Sequence, residues 1–117
     1  MAEIAECIFC KVAHGKLPAY ILYKDDHVVA FHDINPQAPV HVLVVPNKHI
    51  PDIETAAEED GDIVARLFQV AARVALDLRF AKNGYRLVLN NGAEAGQIVP
   101  HLHLHVMSGR RFGWPPG

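Results

Sequence analysis

The chain has 117 residues, of which 50% are hydrophobic and 21% charged, and its formal net charge is −2 at pH 7. This composition is typical of one compact globular domain over residues 1–117, and it excludes a collagen-like or disordered chain. Nucleic-acid-binding proteins concentrate basic residues, so we expect no nucleic-acid partner for this slightly acidic chain. No apolar run approaches the length of a membrane span, and the first residues are acidic where a signal peptide would be basic. We therefore expect no membrane association and a cytoplasmic location.

The first half of the chain predicts a short helix and three strands. A helical turn is expected over 7–12, followed by a β-hairpin made of 21–23 and 28–32. The segment 40–46 is almost wholly apolar, which predicts a central strand covered on both faces. His41 is the polar exception within it.

The second half predicts one long helix and two further strands. Apolar residues recur at steps of three and four from residue 56 to about residue 79, the pattern of an amphipathic helix. Strands over 85–90 and 100–107 follow. The order of elements indicates an α+β domain whose five-stranded sheet is mainly antiparallel.

Histidine is the unusual residue of this composition, with 8 copies in the chain. Three of them, His101, His103 and His105, alternate with Leu and Val, so in a strand they would line one face while the apolar residues enter the core. A solvated strand face is the ordinary alternative, although such faces use mainly Thr, Lys, Glu and Ser. A row of imidazoles can bind a metal, or it can supply a nucleophile and an acid or base for a negatively charged substrate.

A glycine-punctuated turn over 92–96 precedes the histidine row. Its backbone N–H groups are candidates for binding an anion such as a phosphate, and the amides of Asn90 and Gln97 add donors. On its own this turn is a weak indication of phosphate binding.

Cys7 and Cys10 form a Cys-x-x-Cys pair. Such a pair can be redox-active, can supply half of a zinc site, or can consist of two packed thiols. No thioredoxin-like βαβ pattern surrounds it.

The stretch His-Leu-His-Leu-His-Val-Met over 101–107 resembles the histidine triad motif, in which three histidines alternate with apolar residues. Segments elsewhere are similar to the histidine triad nucleotide-binding protein (Hint) branch of that family: Phe-His-Asp-Ile at 31–34, Pro-Gln-Ala-Pro at 36–39, residues 41–50, Gly-Gln at 96–97 and Trp-Pro-Pro-Gly at 114–117. The resemblance covers nearly the whole chain.

This resemblance implies a purine nucleoside phosphoramidase or nucleotidyl hydrolase that cleaves adenosine or guanosine monophosphate conjugates at the α-phosphorus. It implies that His103 is the nucleophile and forms a nucleotidyl-histidine, which water then hydrolyses. His105 would contact the phosphate, His101 would fix the tautomer of His103 through its backbone carbonyl, and His41 matches a fourth histidine of the family site.

The resemblance also implies a nucleoside pocket in which Asp33 binds the ribose hydroxyls. The remaining positions that match or adjoin this pocket are Ile8, Phe9, Val12, Leu17, Phe31, His32, Ile34, Leu43, Asn90, Gly96, Gln97 and Trp114. Core packing is an equally good explanation for each of the apolar ones.

Further implications concern a metal, a dimer and the leaving group. Some relatives complete Cys-x-x-Cys with two histidines, here His49 and His101, as a structural zinc site. Hint proteins are homodimers whose tails reach toward the partner's active site, which would place Trp114 there; a frayed terminus is the alternative. The chain departs from the family at Ile98, where Ser or Thr is usual, and at Pro100, where an aromatic residue is common.

Two other functions compete with the phosphoramidase. One is a metallohydrolase in which His101 and His103, with His41 or His105, hold a catalytic zinc. The other is a non-catalytic nucleotide sensor or scaffold that uses the same pocket only to bind.

Overall fold

The computed structural model describes residues 6–117, and the acidic segment 1–5 lies outside the described residues. The strands are β1 (Ile21–Lys24), β2 (Val28–His32), β3 (Val40–Pro46), β4 (Arg86–Val88) and β5 (Leu104–Ser108), and the α-helices are α1 (Ile8–Ala13), α2 (Ile53–Glu59) and α3 (Gly61–Asp77). The strands form a single sheet in the order β1-β2-β3-β5-β4. Every neighbouring pair is antiparallel. The predicted α+β class with a five-stranded antiparallel sheet is confirmed.

The central position of β3 was predicted correctly. This strand pairs with β2 on one side and with β5 on the other, and Leu43 stands opposite both Phe31 and His105. All its residues from His41 to Pro46 are buried. A strand covered on both faces has no room for a solvated side, which explains its nearly continuous apolar sequence.

The long helix that the periodicity predicted is divided in two. The α2 helix begins at Ile53, where the carboxylate of Asp52 accepts a hydrogen bond from the backbone N–H of Thr55 at 2.9 Å. It ends at Glu59, and the next residue, Asp60, has a φ of −134° and a ψ of 38°, which are not helical. The carbonyl of Asp60 then accepts hydrogen bonds from the backbone N–H groups of Ile63 and Val64 in the first turn of α3. Periodicity continues across this break because both helices present apolar residues to the same core.

The two faces of the sheet carry different layers. On one face, α3 buries Leu67, Val70 and Val74 against strand residues such as Val44 and Leu104. Burying a side chain of this kind stabilises the fold by roughly 1.5–3 kcal/mol.

On the other face, the short helix α1 packs Phe9, Cys10 and Val12 against residues such as Phe31 and Leu43. Because α1 covers only part of this face, the rest of it remains available for a cavity.

The last strand is shorter than expected. It begins at Leu104, whereas the sequence predicted a start at Pro100. Before that point the backbone N–H of His101 bonds to Val99 and the N–H of Leu102 bonds to Ile50, so these residues do not join the ladder. Their side chains still alternate between the two faces, with Leu102 in the α3 core.

Among the residues that the structure describes, no helix is both long enough and apolar enough to cross a bilayer.

Candidate active site

A cavity of about 550 Å³ opens on the face of the sheet that α1 partly covers. Its lining combines apolar side chains with the imidazoles of His41, His103 and His105. The predicted pocket residues that line it are Ile8, Phe9, Val12, Leu17, Phe31, His32, Asp33, Ile34, Leu43, Asn90 and Gly96. The volume lies in the usual range for a small-molecule site.

The protonation of His103 follows from its hydrogen bond to the main chain. Its Nδ1 lies 2.8 Å from the carbonyl oxygen of His101. A carbonyl oxygen can only accept, so Nδ1 carries the proton and Nε2 of the neutral ring has a free lone pair. The ring is buried and meets the edge of Phe9, with centroids 5.0 Å apart. The neutral form of His103 therefore presents Nε2 as its nucleophilic nitrogen.

A second chain of hydrogen bonds gives His105 the opposite tautomer. The backbone N–H of Gln37 donates to Nδ1 of His41 at 3.0 Å, so the proton of neutral His41 resides on Nε2. That N–H lies 2.9 Å from Nδ1 of His105 and donates to it. The proton of His105 is thus on Nε2, where it can donate to a bound oxygen. We call this chain, from Gln37 through His41 to His105, the imidazole relay.

Electrostatics keep the relay neutral. Burial, with smaller contributions from His103 and His41, lowers the pKa of His105 to about 4. Burial also lowers the pKa of His41, and the nearby Asp33 carboxylate only partly opposes this shift. Both rings are therefore uncharged near neutral pH, as the assigned tautomers require.

Asp33 is oriented by two neighbours. Its Oδ1 accepts the backbone N–H of Asn35 at 2.8 Å, and its Oδ2 lies 3.4 Å from Nε2 of His41. The carboxylate is partly exposed at the cavity, so it retains acceptor capacity for a pair of hydroxyl groups.

His101 lies outside the cavity and faces the cysteines. Its Nε2–H donates to the carbonyl of Pro46 at 2.8 Å, which leaves a lone pair on Nδ1. That Nδ1 is 3.2 Å from Sγ of Cys7 and 3.6 Å from Sγ of Cys10. Nδ1 of His49 is 3.3 Å from Sγ of Cys10. Burial lowers the pKa of His101 to about 4, so its ring is neutral and able to act as a ligand.

These four side chains form a compact group. One ligand atom from each of Cys7, Cys10, His49 and His101 lies within 4.8 Å of all the others. Both cysteines are free thiols. Two sulfur and two nitrogen donors match the ligand set of a structural zinc site.

Two predicted pocket residues do not line the cavity. The amide of Gln97 accepts from the N–H of Gly92 at 2.8 Å and donates to the carbonyls of Pro51 and Val99, so it closes the glycine turn. Trp114 is 84% exposed and lies away from the cavity of its own chain.

The turn over 92–96 also offers fewer free N–H groups to a phosphate than the sequence predicted. The N–H groups of Gly92, Ala95 and Gly96 already donate within the turn, which leaves them unavailable to a ligand. Gly96 still lines the cavity wall.

The sequence interpretation missed the role of Gln37, which sets the polarity of the relay through its backbone. Pro18, Ala19, Asn35 and Val99 also line the cavity and were not predicted. The two prolines that flank Gln37 at positions 36 and 39 indicate a fixed loop, and this is the only signal in the sequence that could have suggested an ordered N–H.

A catalytic zinc held by the histidine row does not fit this arrangement. In the part of the chain that the structure describes, neither of the possible metal groups includes His103, and His101 groups with Cys7, Cys10 and His49 instead. One group does join Asp33, His41 and His105. However, Nε2 of His41 carries a proton because Gln37 donates to Nδ1, so it offers no lone pair to a metal.

The chain is similar to known proteins over most of its length. The HIT domain model matches residues 14–112. An uncharacterized HIT-like protein of Synechocystis is 50% identical over 117 residues, which is 100% of both chains. The crystal structure of a HIT family hydrolase from Legionella pneumophila is 42% identical, with a TM-score of 0.91 over 96% of this chain and 100% of its own.

A histidine triad nucleotide-binding protein from Candida albicans is 30% identical, with a TM-score of 0.81 over 94% of this chain and 83% of its own. The resemblance on which the sequence interpretation relied is thus confirmed at the level of the family. With its triad, fold and full-length relatives in agreement, the chain belongs to the HIT domain family.

Proposed function

We propose that this protein hydrolyses adenosine or guanosine monophosphate conjugates, in particular phosphoramidates, through a covalent nucleotidyl-His103 intermediate. The observation that carries the proposal is the pair of opposite tautomers: a free lone pair on Nε2 of His103 and an N–H on Nε2 of His105. One ring attacks phosphorus while its neighbour donates to a phosphoryl oxygen.

The cavity supports a nucleoside monophosphate as the bound group. Its apolar side chains, which include Phe9 and Phe31, are suited to a flat base, and the Asp33 carboxylate to the two ribose hydroxyls. The α-phosphate then lies beside the imidazoles. The Candida albicans relative is described as a nucleotide-binding protein, which favours the same class of ligand.

In the first step Nε2 of His103 forms a bond to the α-phosphorus, the P–N bond to the leaving group breaks, and the amine leaves with a proton from solvent. In the second step water attacks phosphorus, the bond to His103 breaks, and the water proton returns to solvent. The products are a nucleoside monophosphate and a free amine. His103 keeps its Nδ1 proton on the His101 carbonyl throughout.

Incubation with an adenosine phosphoramidate tests this proposal. We expect release of AMP and, on rapid quenching, protein that is heavier by one adenylyl group. His103→Ala should reduce turnover by several orders of magnitude while nucleotide binding persists. His27→Ala, which changes an exposed histidine of the β1–β2 turn, is the matched control and should keep full activity. Tight AMP binding without any turnover would support the nucleotide sensor instead.

We further propose that Cys7, Cys10, His49 and His101 hold a structural zinc ion. A bound zinc would link α1, the loop after β3 and the segment before β5, which are far apart in sequence. The Pro46 carbonyl already fixes the ring of His101 in the required tautomer. Elemental analysis should find about one zinc per chain, lost in Cys7→Ser/Cys10→Ser together with a lower melting temperature. Protein that takes up no zinc and melts unchanged with added zinc would refute the site.

Finally, we propose that the protein forms a homodimer. Large apolar side chains remain exposed on α3 and on the edge strand β4: Phe68 at 43%, Leu76 at 66% and Leu87 at 38%. Light scattering should give twice the mass of the chain, and deletion of 110–117 should leave the dimer intact while changing the preference for leaving groups. A monomeric mass would contradict this.

A further inference from the structure

A second cavity, of about 380 Å³, adjoins the first at the imidazoles of His41 and His105. It shares Gln37, His41, Asn90 and His105 with the first cavity. Its other walls are formed by β4, by the end of β5 and by the segment that follows β5. The relay therefore forms the boundary between the two cavities.

The charge of this second cavity is one-sided. Arg86 and Arg110 line it, and no lining residue is Asp or Glu. Among the described residues, neither guanidinium forms an ion pair with a carboxylate; the recorded ion pairs involve Arg66, Arg73, Lys48 and His41. Two unpaired cations thus face a concave surface in a chain whose net charge is negative.

The two guanidiniums are held in place on one aromatic ring. Their carbons lie 5.1 Å (Arg86) and 4.2 Å (Arg110) from the centroid of Phe112. Nη2 of Arg86 also donates to the carbonyl of Gly113 at 2.9 Å, and Nε of Arg110 donates to that of Gln37 at 3.1 Å. These contacts use some of the five N–H donors of each guanidinium and leave others for a ligand. The two like charges repel each other, and a carboxylate bound beside them would offset that cost.

The proposed chemistry indicates what occupies this cavity. With the nucleoside in the first cavity, the leaving group departs from the side of phosphorus opposite His103. We propose that the second cavity binds the leaving group and selects amines that carry a carboxylate, which Arg86 and Arg110 bind. This inference rests on the proposed function. Among phosphoramidates, those whose amine carries a free carboxylate are then preferred over their neutral counterparts, since guanidinium and carboxylate pair through two parallel hydrogen bonds.

The test compares the adenosine phosphoramidates of 3-aminopropanoate and of its neutral amide, 3-aminopropanamide. Because the two amines differ in basicity, the informative quantity is how the ratio of their kcat/KM values changes on substitution. Arg86→Gln and Arg110→Gln should each lower the carboxylate-to-amide ratio by about tenfold, as expected for loss of one charge-assisted hydrogen bond. Arg111→Gln is the matched control, because Arg111 is the exposed neighbour of Arg110 and does not line this cavity.

A binding arm separates this inference from the proposed reaction. In a His103→Ala background, calorimetry should give tighter binding of the carboxylate conjugate, and Arg110→Gln should remove the difference. A carboxylate preference in binding without any turnover in the wild type would refute the reaction and keep the subsite. Turnover with an unchanged ratio in both arginine variants would refute the subsite and keep the reaction. Equal binding of both conjugates would also overturn the subsite.

Discussion

The imidazole relay makes a quantitative prediction at His41. Replacement by Leu removes the N–H that donates to Nδ1 of His105 at 2.9 Å and puts an apolar side chain of similar size in its place. His105 can then place its proton on either nitrogen, so the donor facing the phosphate is no longer fixed. Replacement by Gln keeps an amide N–H that can reach the same acceptor. The pair of variants separates loss of the hydrogen bond from loss of bulk.

General magnitudes for lost hydrogen bonds give bounds for the loss of kcat in His41→Leu. Loss of a complete donor to a developing oxyanion costs about 10²- to 10³-fold in kcat. Loss of one orienting hydrogen bond is worth about 0.5–1.5 kcal/mol, or roughly two- to tenfold. Because His105 remains present but unfixed, we expect His41→Leu to lower kcat by about 10- to 100-fold and to change KM by less than about threefold. His41→Gln should lose only a few-fold.

Steady-state release of AMP from an adenosine phosphoramidate measures both parameters, with His27→Ala as the control for a lost histidine. Circular dichroism melts must accompany the assay, since His41 is buried and Leu leaves the Gln37 N–H without its acceptor. If His41→Leu turns over like the control, the relay has no part in catalysis and the assignment of the His105 tautomer is wrong.

Other predictions concern stability and the leaving group. Burial and two neighbouring imidazoles hold the pKa of His105 at about 4 in the folded protein. As the pH decreases, His105 is therefore protonated in the unfolded chain first, and the free energy of unfolding should fall between about pH 6.5 and about pH 4. Urea titrations should show a shallower fall in His105→Asn. Leu67→Ala should lower the free energy of unfolding by about 2–5 kcal/mol, because this side chain is fully buried. Gly109→Ala should lower the melting temperature, since φ is +98° and the new Cβ would lie 2.7 Å from Pro39. Ile98 lines the first cavity and not the second, so Ile98→Ser should speed amine release about fivefold by placing a hydroxyl donor beside the reacting P–N bond, and an unchanged rate would contradict this.

The five strands and the central place of β3 were predictable because each strand has an apolar pattern bounded by turn residues, whereas the order β1-β2-β3-β5-β4 comes from the structure alone. The division of the long helix was not predictable from periodicity, which reports only the face that a helix buries. Asp60 breaks the hydrogen-bond ladder without disturbing that face. The early start assigned to the last strand has a similar cause: alternation over 101–107 reports an extended backbone, and pairing with β3 begins only at Leu104.

The residue types of the candidate site were predictable from the sequence, but the role of each histidine was not. Spacing places three histidines on one face, yet it cannot say that α1 lies beside the first of them. His101 therefore faces Cys7 and Cys10, while His103 and His105 face the cavity. Spacing also cannot say which group a side-chain amide will contact. The amide of Gln97 was expected to face a ligand beside the glycine turn, and it closes that turn instead.

The main chain gives the side chains of His103 and His105 opposite tautomers. The backbone carbonyl of His101 keeps the proton of His103 on Nδ1. The backbone N–H of Gln37, acting through His41, keeps the proton of His105 on Nε2. Gln37→Ala leaves the N–H that sets the relay in place, because every residue except proline supplies the same N–H. Similarly, no substitution at position 101 removes a carbonyl, so its side chain is free to face the thiols. Side-chain substitutions at these two positions would report on other contacts, those of His101 with the thiols and that of the Gln37 amide with the Asn35 carbonyl. Only a main-chain change, such as Gln37→Pro or an ester bond in place of an amide, would reveal the part played by the backbone.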